Sequence, residues 1–312
     1  SMARLEEIVG LLERGDARFH SFCLGEADWL EDYALFMAVK AEQGQAGLAD
    51  WPDALRCREP EVIAAAKVRL ADQISYHKAV QFFFYTQWNA LKAYANRKGV
   101  LLVGDIPIYV SPDSSDLWTQ PELFQTDGQM HLTHVAGCPP DSFAADGQLW
   151  GNPLYDWPTH KATGFGWWKR RMKHATSIYD VVRIDHFRGF QAYWEIPEGE
   201  ETAINGKWKK GPRMKLFKAQ GTCIEHKLPV LITIAGVDGS GRGAVANMLS
   251  EWMDAKTIRN HVFWMQTDEE RTRPEAWQFW NKLPAGGEIG VFLGGWYGGT
   301  IRRFCCGDIG ER

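Results

Sequence analysis

Twice in this chain a helical pattern passes directly into a short apolar run that leads to an acidic residue. Residues 61–98 keep the helical spacing of apolar side chains and end on Lys98 and Gly99, a basic last turn followed by a capping glycine. Val100 to Val103 then reads as a buried strand running into Gly104, Asp105, Ile106 and Pro107. Residues 167–179 and 180–184 repeat the order, and the second strand carries Arg183 and leads into Asp185, His186 and Arg188. Helix then strand, with acid at the strand's carboxyl end, is the signature of a parallel α/β fold. There the crossover helices cover the sheet and functional groups gather where the strands end. A charge in such a place is costly unless paired, so Arg183 and Asp185, two residues apart on one strand face, are read as partners.

The rest of the chain is organised around these two units. Residues 1–45 show helical stripes, in Leu5, Ile8, Leu11 and Leu12 and again in Leu30, Tyr33, Ala34, Phe36 and Met37, with Asp28 as the expected N-cap of the second helix. Residues 111–164 are rich in Pro, Gly, Asp and aromatics with little periodicity, which predicts a long functional loop. Beyond residue 228 the character changes. A β-branched strand from Pro229 to Ala235 enters a glycine-rich turn, 236–243, followed by a helix over 244–253, another over 269–282 and a strand over 289–293. Strand, glycine-rich turn and helix is a setting in which backbone N–H groups hold phosphate.

Composition excludes more than it selects. The formal charge of −4, from 35 basic and 39 acidic residues, gives no general attraction to nucleic acid or to an anionic membrane. No apolar run is long enough for a membrane span, and residues 1–10 lack signal-peptide character, so a cytoplasmic protein is expected. The six cysteines show no metal-ligand spacing and read as reduced, buried thiols. Of the fifteen tryptophans, ordinary core packing accounts for most, and Trp118 and Trp150 stand out because polar loop sequence surrounds them.

The stretches 28–36 (DWLEDYALF), 104–110 (GDIPIYV), 137–143 (GCPPDSF), 147–155 (GQLWGNPLY) and 182–190 (VRIDHFRGF) occur in an order that resembles amylomaltase, the 4-α-glucanotransferase of glycoside hydrolase family 77. The likeness covers roughly residues 20–212. It implies a partial (β/α)8 barrel of the TIM type acting on α-1,4-glucan or maltooligosaccharide, with no metal or organic cofactor. By this resemblance Asp185 is the nucleophile, Arg183 its charge partner and Asp105 a polar group beside the donor sugar. Gln148, Trp150 and Asn152 belong to a loop shaping the acceptor side. Retaining glycoside chemistry needs a second carboxylate about 5 to 5.5 Å away as acid and base. The family carries it in an Ala-Glu-Asp-Leu-Gly strand end after a Leu-Pro pair. Here Leu228-Pro229 leads through Thr233 and Ile234 to Ala235 and Gly236 with no glutamate, and a later His-Asp-Asn segment is missing too. Negligible transfer is the expectation.

The stretches 229–232 (PVLI), 235–243 (AGVDGSGRG), 251–254 (EWMD), 269–274 (EERTRP), 279–280 (FW), 283–284 (LP) and 295–297 (GWY) resemble the polyphosphate kinase 2 family over roughly 213–304. Gly236, Asp238 and Gly241 match its phosphate-binding turn. Arg242 stands where a lysine reaches the phosphates, and Leu293 where an acid serves magnesium. Arginine still contacts phosphate, but leucine holds neither a metal nor its water. The expected organisation is a glucanotransferase-like barrel segment over 1–212, then a truncated P-loop-type parallel α/β segment over 213–312. Two alternatives stay open beside a glucanotransferase: a phosphotransferase-like module binding polyphosphate or a nucleotide, and a catalytically dead glucan-binding protein.

Overall fold

The computed structural model describes residues 9–10, 12, 15–141, 144–213, 215–216, 230–234, 242–252, 258–263, 266–274 and 277–294. Among them the chain runs α1 (Ala17–Gly25), α2 (Ala27–Glu42), α3 (Asp53–Arg56), α4 (Pro60–Arg69), α5 (Ala71–Arg97), β1 (Val103–Ile106), α6 (Ser115–Thr119), β2 (His134–Cys138), β3 (Gln148–Pro153), α7 (Trp157–Ala162), α8 (Gly166–Ile178), β4 (Val181–Ile184), β5 (Ala192–Pro197) and β6 (Lys207–Lys210). It continues through β7 (Val230–Ile234), α9 (Arg242–Trp252), β8 (Ile258–Val262), α10 (Asp268–Arg271), α11 (Trp277–Trp280) and β9 (Ile289–Leu293). No described helix is long and apolar enough to cross a membrane. The chain forms two compact units, one from residues 1–98, 109–160 and 192–211 and the other from 99–108, 161–191 and 212–312.

The first unit joins helices to an antiparallel sheet. Asp16 caps α1 by accepting from the backbone N–H groups of Arg18 and Phe19, which satisfies donors a helix start leaves free. Phe19, Ala79 and Phe82 then pack α1 against α5. The expected cap at Asp28 is corrected: α2 begins at Ala27, so Asp28 falls in the first turn, where its charge still suits the helix N-terminus. The helix expected over 61–98 is two, separated at Leu70. Nor is 111–164 a structureless loop. It holds α6, β2, β3 and α7, and the strands belong to a sheet ordered β3-β2-β5-β6. Local periodicity misses this because β2 takes its second partner, β5, from some sixty residues downstream. The edge strand β6 carries Lys207, Lys209 and Lys210, all exposed, which discourages pairing with another chain.

Trp118 is part of this unit's core rather than a loop residue free to meet a ligand. Its ring is fully buried against Phe36 and Trp51, its indole N–H donates to the Leu55 carbonyl at 2.9 Å, and the Arg58 guanidinium lies 4.2 Å over its face. Tyr109 is likewise buried, stacked on Tyr155.

The second unit is built on a wholly parallel five-stranded sheet, ordered β1-β4-β7-β9-β8. The mixed α/β class with a parallel sheet is as expected. Strands from both sides of residue 212 share this sheet, because β7 pairs directly with β4, with Val182 opposite Val230 and Arg183 opposite Leu231. Val181, Leu231, Phe279 and Phe292 form a common core beneath the junction. Among the described strands, β1 and β8 each pair on one side only, so the order is linear. The first strand is displaced from its expected place: it spans Val103–Ile106, which puts Asp105 inside the ladder rather than after it. Proline 274 divides the helix expected over 269–282 into α10 and α11, and Thr267 with Glu270 forms a capping box at the first. Gly236, Asp238 and Gly241 lie outside the described residues, as does the side chain of Arg242, which opens α9.

Candidate active site

The parallel pairing of β1 with β4 brings Asp105 to Arg183 and Asp185, which follow it about eighty positions later in the chain. Register sets Asp105 opposite Arg183, and Asp185 follows directly after β4 ends at Ile184. Arg183 lies between the two acids. Its Nη2 is 3.2 Å from an oxygen of Asp105 and 3.3 Å from an oxygen of Asp185. Pairing of Arg183 with Asp185 was legible from their spacing, whereas the equal claim of Asp105 on the same guanidinium required the register. The arginine is the more shielded of the three at 23% side-chain exposure, against 52% for Asp105 and 63% for Asp185. Both carboxylates therefore remain open to a ligand while their shared counter-charge is held behind them.

Burial raises the Asp105 carboxyl above the usual carboxylate range; Arg183 opposes that shift and Asp185 adds to it. The adjacent imidazole of His186 is pushed down by burial, with Arg188 lowering it further and Asp185 pulling it back up. His186 also adopts a left-handed backbone, φ 49°, uncommon for a residue with a side chain. It turns the chain sharply after Asp185, into the short 3-10 turn at Phe187–Phe190. The backbone of Asp185 is itself anchored, its N–H donating to the Ile106 carbonyl at 3.0 Å.

Two further residues shape the site from below, and neither stood out in the sequence. The aromatic ring of Tyr179 lies directly on Gly104, filling the space where any β-carbon would project. Asp180 ties the start of β1 to that of β4, accepting from the Leu102 N–H at 2.8 Å while its own N–H donates to the Leu102 carbonyl. Only the tight approach of a ring to backbone demands glycine at 104, and a glycine beside an aspartate in a strand is the one signal that could have suggested it.

Gln148, Trp150 and Asn152 belong to the other unit, on β3. A register shift against β2 and the left-handed backbone of Gly151, φ 73°, interrupt the regular alternation between Trp150 and Asn152. The Trp150 indole donates to the Gln148 side-chain oxygen at 3.0 Å, and the Asn152 amide donates to the Val110 carbonyl at 2.8 Å. The Trp150 ring centre lies 6.3 Å from that of Tyr109. Asn152 is thus partly occupied in holding backbone, while Gln148 is exposed and Trp150 half-buried on an edge strand. Among the described residues no group of three or more His, Cys, Asp or Glu is gathered to hold a metal ion.

A family model described as 4-alpha-glucanotransferase, glycoside hydrolase family 77, matches residues 3–281 of this chain. The chain belongs to the 4-alpha-glucanotransferase family. Its match to the family model continues past residue 212, over β7 and β8, and ends before β9. A 4-alpha-glucanotransferase from Synechocystis sp. is 46% identical over 223 residues, 71% of this chain and 44% of that protein. The amylomaltase from Streptococcus agalactiae, solved in complex with acarbose, superposes with a TM-score of 0.71 at 32% identity, covering 93% of this chain and 68% of that one. A likeness to a polyphosphate kinase 2 from Pseudomonas aeruginosa covers 30% of this chain with a TM-score of 0.28, too little shared fold to carry an argument. The chain spans about two fifths of the length of the curated 4-alpha-glucanotransferases it matches.

Proposed function

We propose that this chain carries the nucleophile side of a 4-α-glucanotransferase site. In the complete enzyme the Asp185 carboxylate attacks the anomeric carbon of an α-1,4-linked glucan as its C1–O4 bond breaks, the leaving 4-oxygen takes a proton from a general acid, and a glucosyl-aspartate forms. The 4-hydroxyl of an acceptor glucan, giving its proton back to that group, then displaces the aspartate and forms the new C1–O4 bond. The arrangement that carries this reading is the guanidinium of Arg183 set between two solvent-open carboxylates at adjacent parallel strand ends. Arg183 orients Asp185 and balances its charge, Asp105 accepts hydroxyl hydrogens of the donor sugar, and Gln148, Trp150 and Asn152 serve the acceptor side. Trp150 offers an apolar face to a sugar ring.

Transfer also needs a group that protonates the departing oxygen. The strand beside Asp185 does not supply one. Residues 230–236 contain no acid, and the register continued two places along β7 brings Thr233 level with Asp185. The hydroxyl of Thr233 is buried without a hydrogen-bond partner, and its ordinary acidity is far too low for a general acid. The chain as it stands therefore binds glucan without turning it over. The division at 212, with 213–312 derived from a phosphotransferase-like segment, is part of the same reading and rests on the residue series over 229–297.

The test is calorimetric titration of the chain with maltooligosaccharide, beside a maltotriose disproportionation assay of the chain and its Asp185→Asn variant. Binding without products is expected. Products that disappear in Asp185→Asn would overturn the assigned inactivity, and no binding at all would overturn the glucan reading. Binding of polyphosphate or AMP instead would favour the phosphotransferase-like alternative.

A further inference from the structure

We infer that Arg171 is a positioning residue for the carboxylate pair, clamping the chain where it leaves β1 and so fixing the places of Asp105 and Asp185. Its Nη1 donates to the Ile108 carbonyl at 3.0 Å and its Nη2 to the Pro107 carbonyl at 2.6 Å. Both carbonyls lie beyond Ile106, the last β1 residue in the ladder with β4. The same guanidinium sits over the rings of Trp167, at 5.2 Å, and Trp168, at 5.0 Å, both buried in the first turn of α8.

Residues 105–108 are consequently held at each step. Asp105 is held by its register with Arg183, Ile106 through its carbonyl by the Asp185 N–H, and Pro107 and Ile108 by Arg171. Proline at 107 favours an extended Ile106 and has no N–H, so its own backbone can be anchored only through its carbonyl, which accepts from Arg171. The Ile106 carbonyl is the acceptor for the Asp185 backbone, so movement of this exit carries Asp185 with it. A planar fork can donate to two successive carbonyls while its face rests on aromatic rings, and a lysine ammonium cannot do both. The assignment of a role in glucan handling rests on the reading of Asp105 and Asp185 given above; the clamp itself is tested independently of it.

Amide hydrogen exchange of the full chain and its Arg171→Lys and Arg171→Met variants decides the matter. Lysine keeps the charge, while methionine fills the space between the rings without donors, so either variant that folds gives the answer. Exchange of the Asp185 amide is expected to quicken on the order of ten- to a hundredfold, the scale of one lost charge-assisted hydrogen bond. Exchange at Val291 and Phe292 in β9 should stay unchanged. Unaltered exchange at Asp185, or an equal quickening at Val291 and Phe292, would overturn the assignment, because the residue would then contribute nothing local. Maltooligosaccharide titrations on the same preparations separate the two readings. Weaker binding alongside local loosening at Asp185 supports the positioning role, unchanged binding with that loosening overturns it, and a wild-type chain that binds no glucan overturns the functional reading while leaving the clamp result intact.

Discussion

Replacing Gly104 by alanine tests the packing beneath the carboxylates. At an open strand position this change would stabilise the fold by about 0.5 to 1 kcal/mol, because glycine loses more backbone freedom on folding than alanine does. Here the new methyl would project into the ring of Tyr179, overlapping three of its carbons. That ring cannot retreat by a backbone shift. Its residue's N–H is bonded to the Ala175 carbonyl at the end of α8, and the next residue, Asp180, is bonded to Leu102 through both backbone and side chain. Overpacking of this kind typically costs about 1 to 3 kcal/mol, which outweighs the backbone gain and reverses the sign. A net destabilisation of about 1 to 2 kcal/mol is expected from urea unfolding curves. Gly104→Ala should cost far less in a Tyr179→Ala background, so the four proteins of the double-mutant cycle should show a coupling of at least about 1 kcal/mol. A Gly104→Ala protein as stable as the wild type, or a cycle whose two changes simply add, would refute the account.

Three other changes test the first unit. His160 is fully buried, and burial holds its imidazole down at about 4, from an ordinary 6.5. A folded value below the unfolded one means that the neutral ring's contribution is complete above pH 6.5 and is lost as pH falls toward 4. The stability gap between wild type and His160→Phe should therefore shrink by up to about 3 kcal/mol across that window, and a gap that stays constant in stepped-pH urea unfolding would contradict it. Trp118→Phe should lower stability by about 1 to 3 kcal/mol, since it leaves the buried Leu55 carbonyl without its indole donor. Trp150→Phe, on an exposed edge strand, should stay within about 0.5 kcal/mol, and equal losses of Tm in the two variants would show that Trp118 has no special structural role.

The charged residues of the candidate site were legible in the sequence as a cluster of unusual positions. Asp105, Arg183 and Asp185 carry charge at the ends of apolar runs, and although burial was the reason to expect pairing, both acids pair with Arg183 while more than half exposed. The same alternation of helix and strand was enough for a parallel α/β class, and family motifs pointed to the glucanotransferase likeness. What stayed hidden was whatever depends on partners far away in the chain. Strands β2 and β3 read as loop because their hydrogen-bonded neighbours are distant or glycine-rich and polar in sequence. Trp118 and Trp150 sit in similar polar sequence, yet one is sealed in a core by Phe36, Trp51 and Arg58 and the other stands on a strand edge. Arg171 reads as one basic residue among several on α8. Its role comes from two carbonyls more than sixty residues earlier, which only the folded backbone brings within reach. Sequence determined which groups are charged, apolar or conformationally free, because those are properties of single residues and their near neighbours. Which carboxylates share Arg183, which tryptophan meets solvent and which strand lies beside Asp185 were decided by tertiary structure, because register and burial are relations between segments that no local pattern encodes.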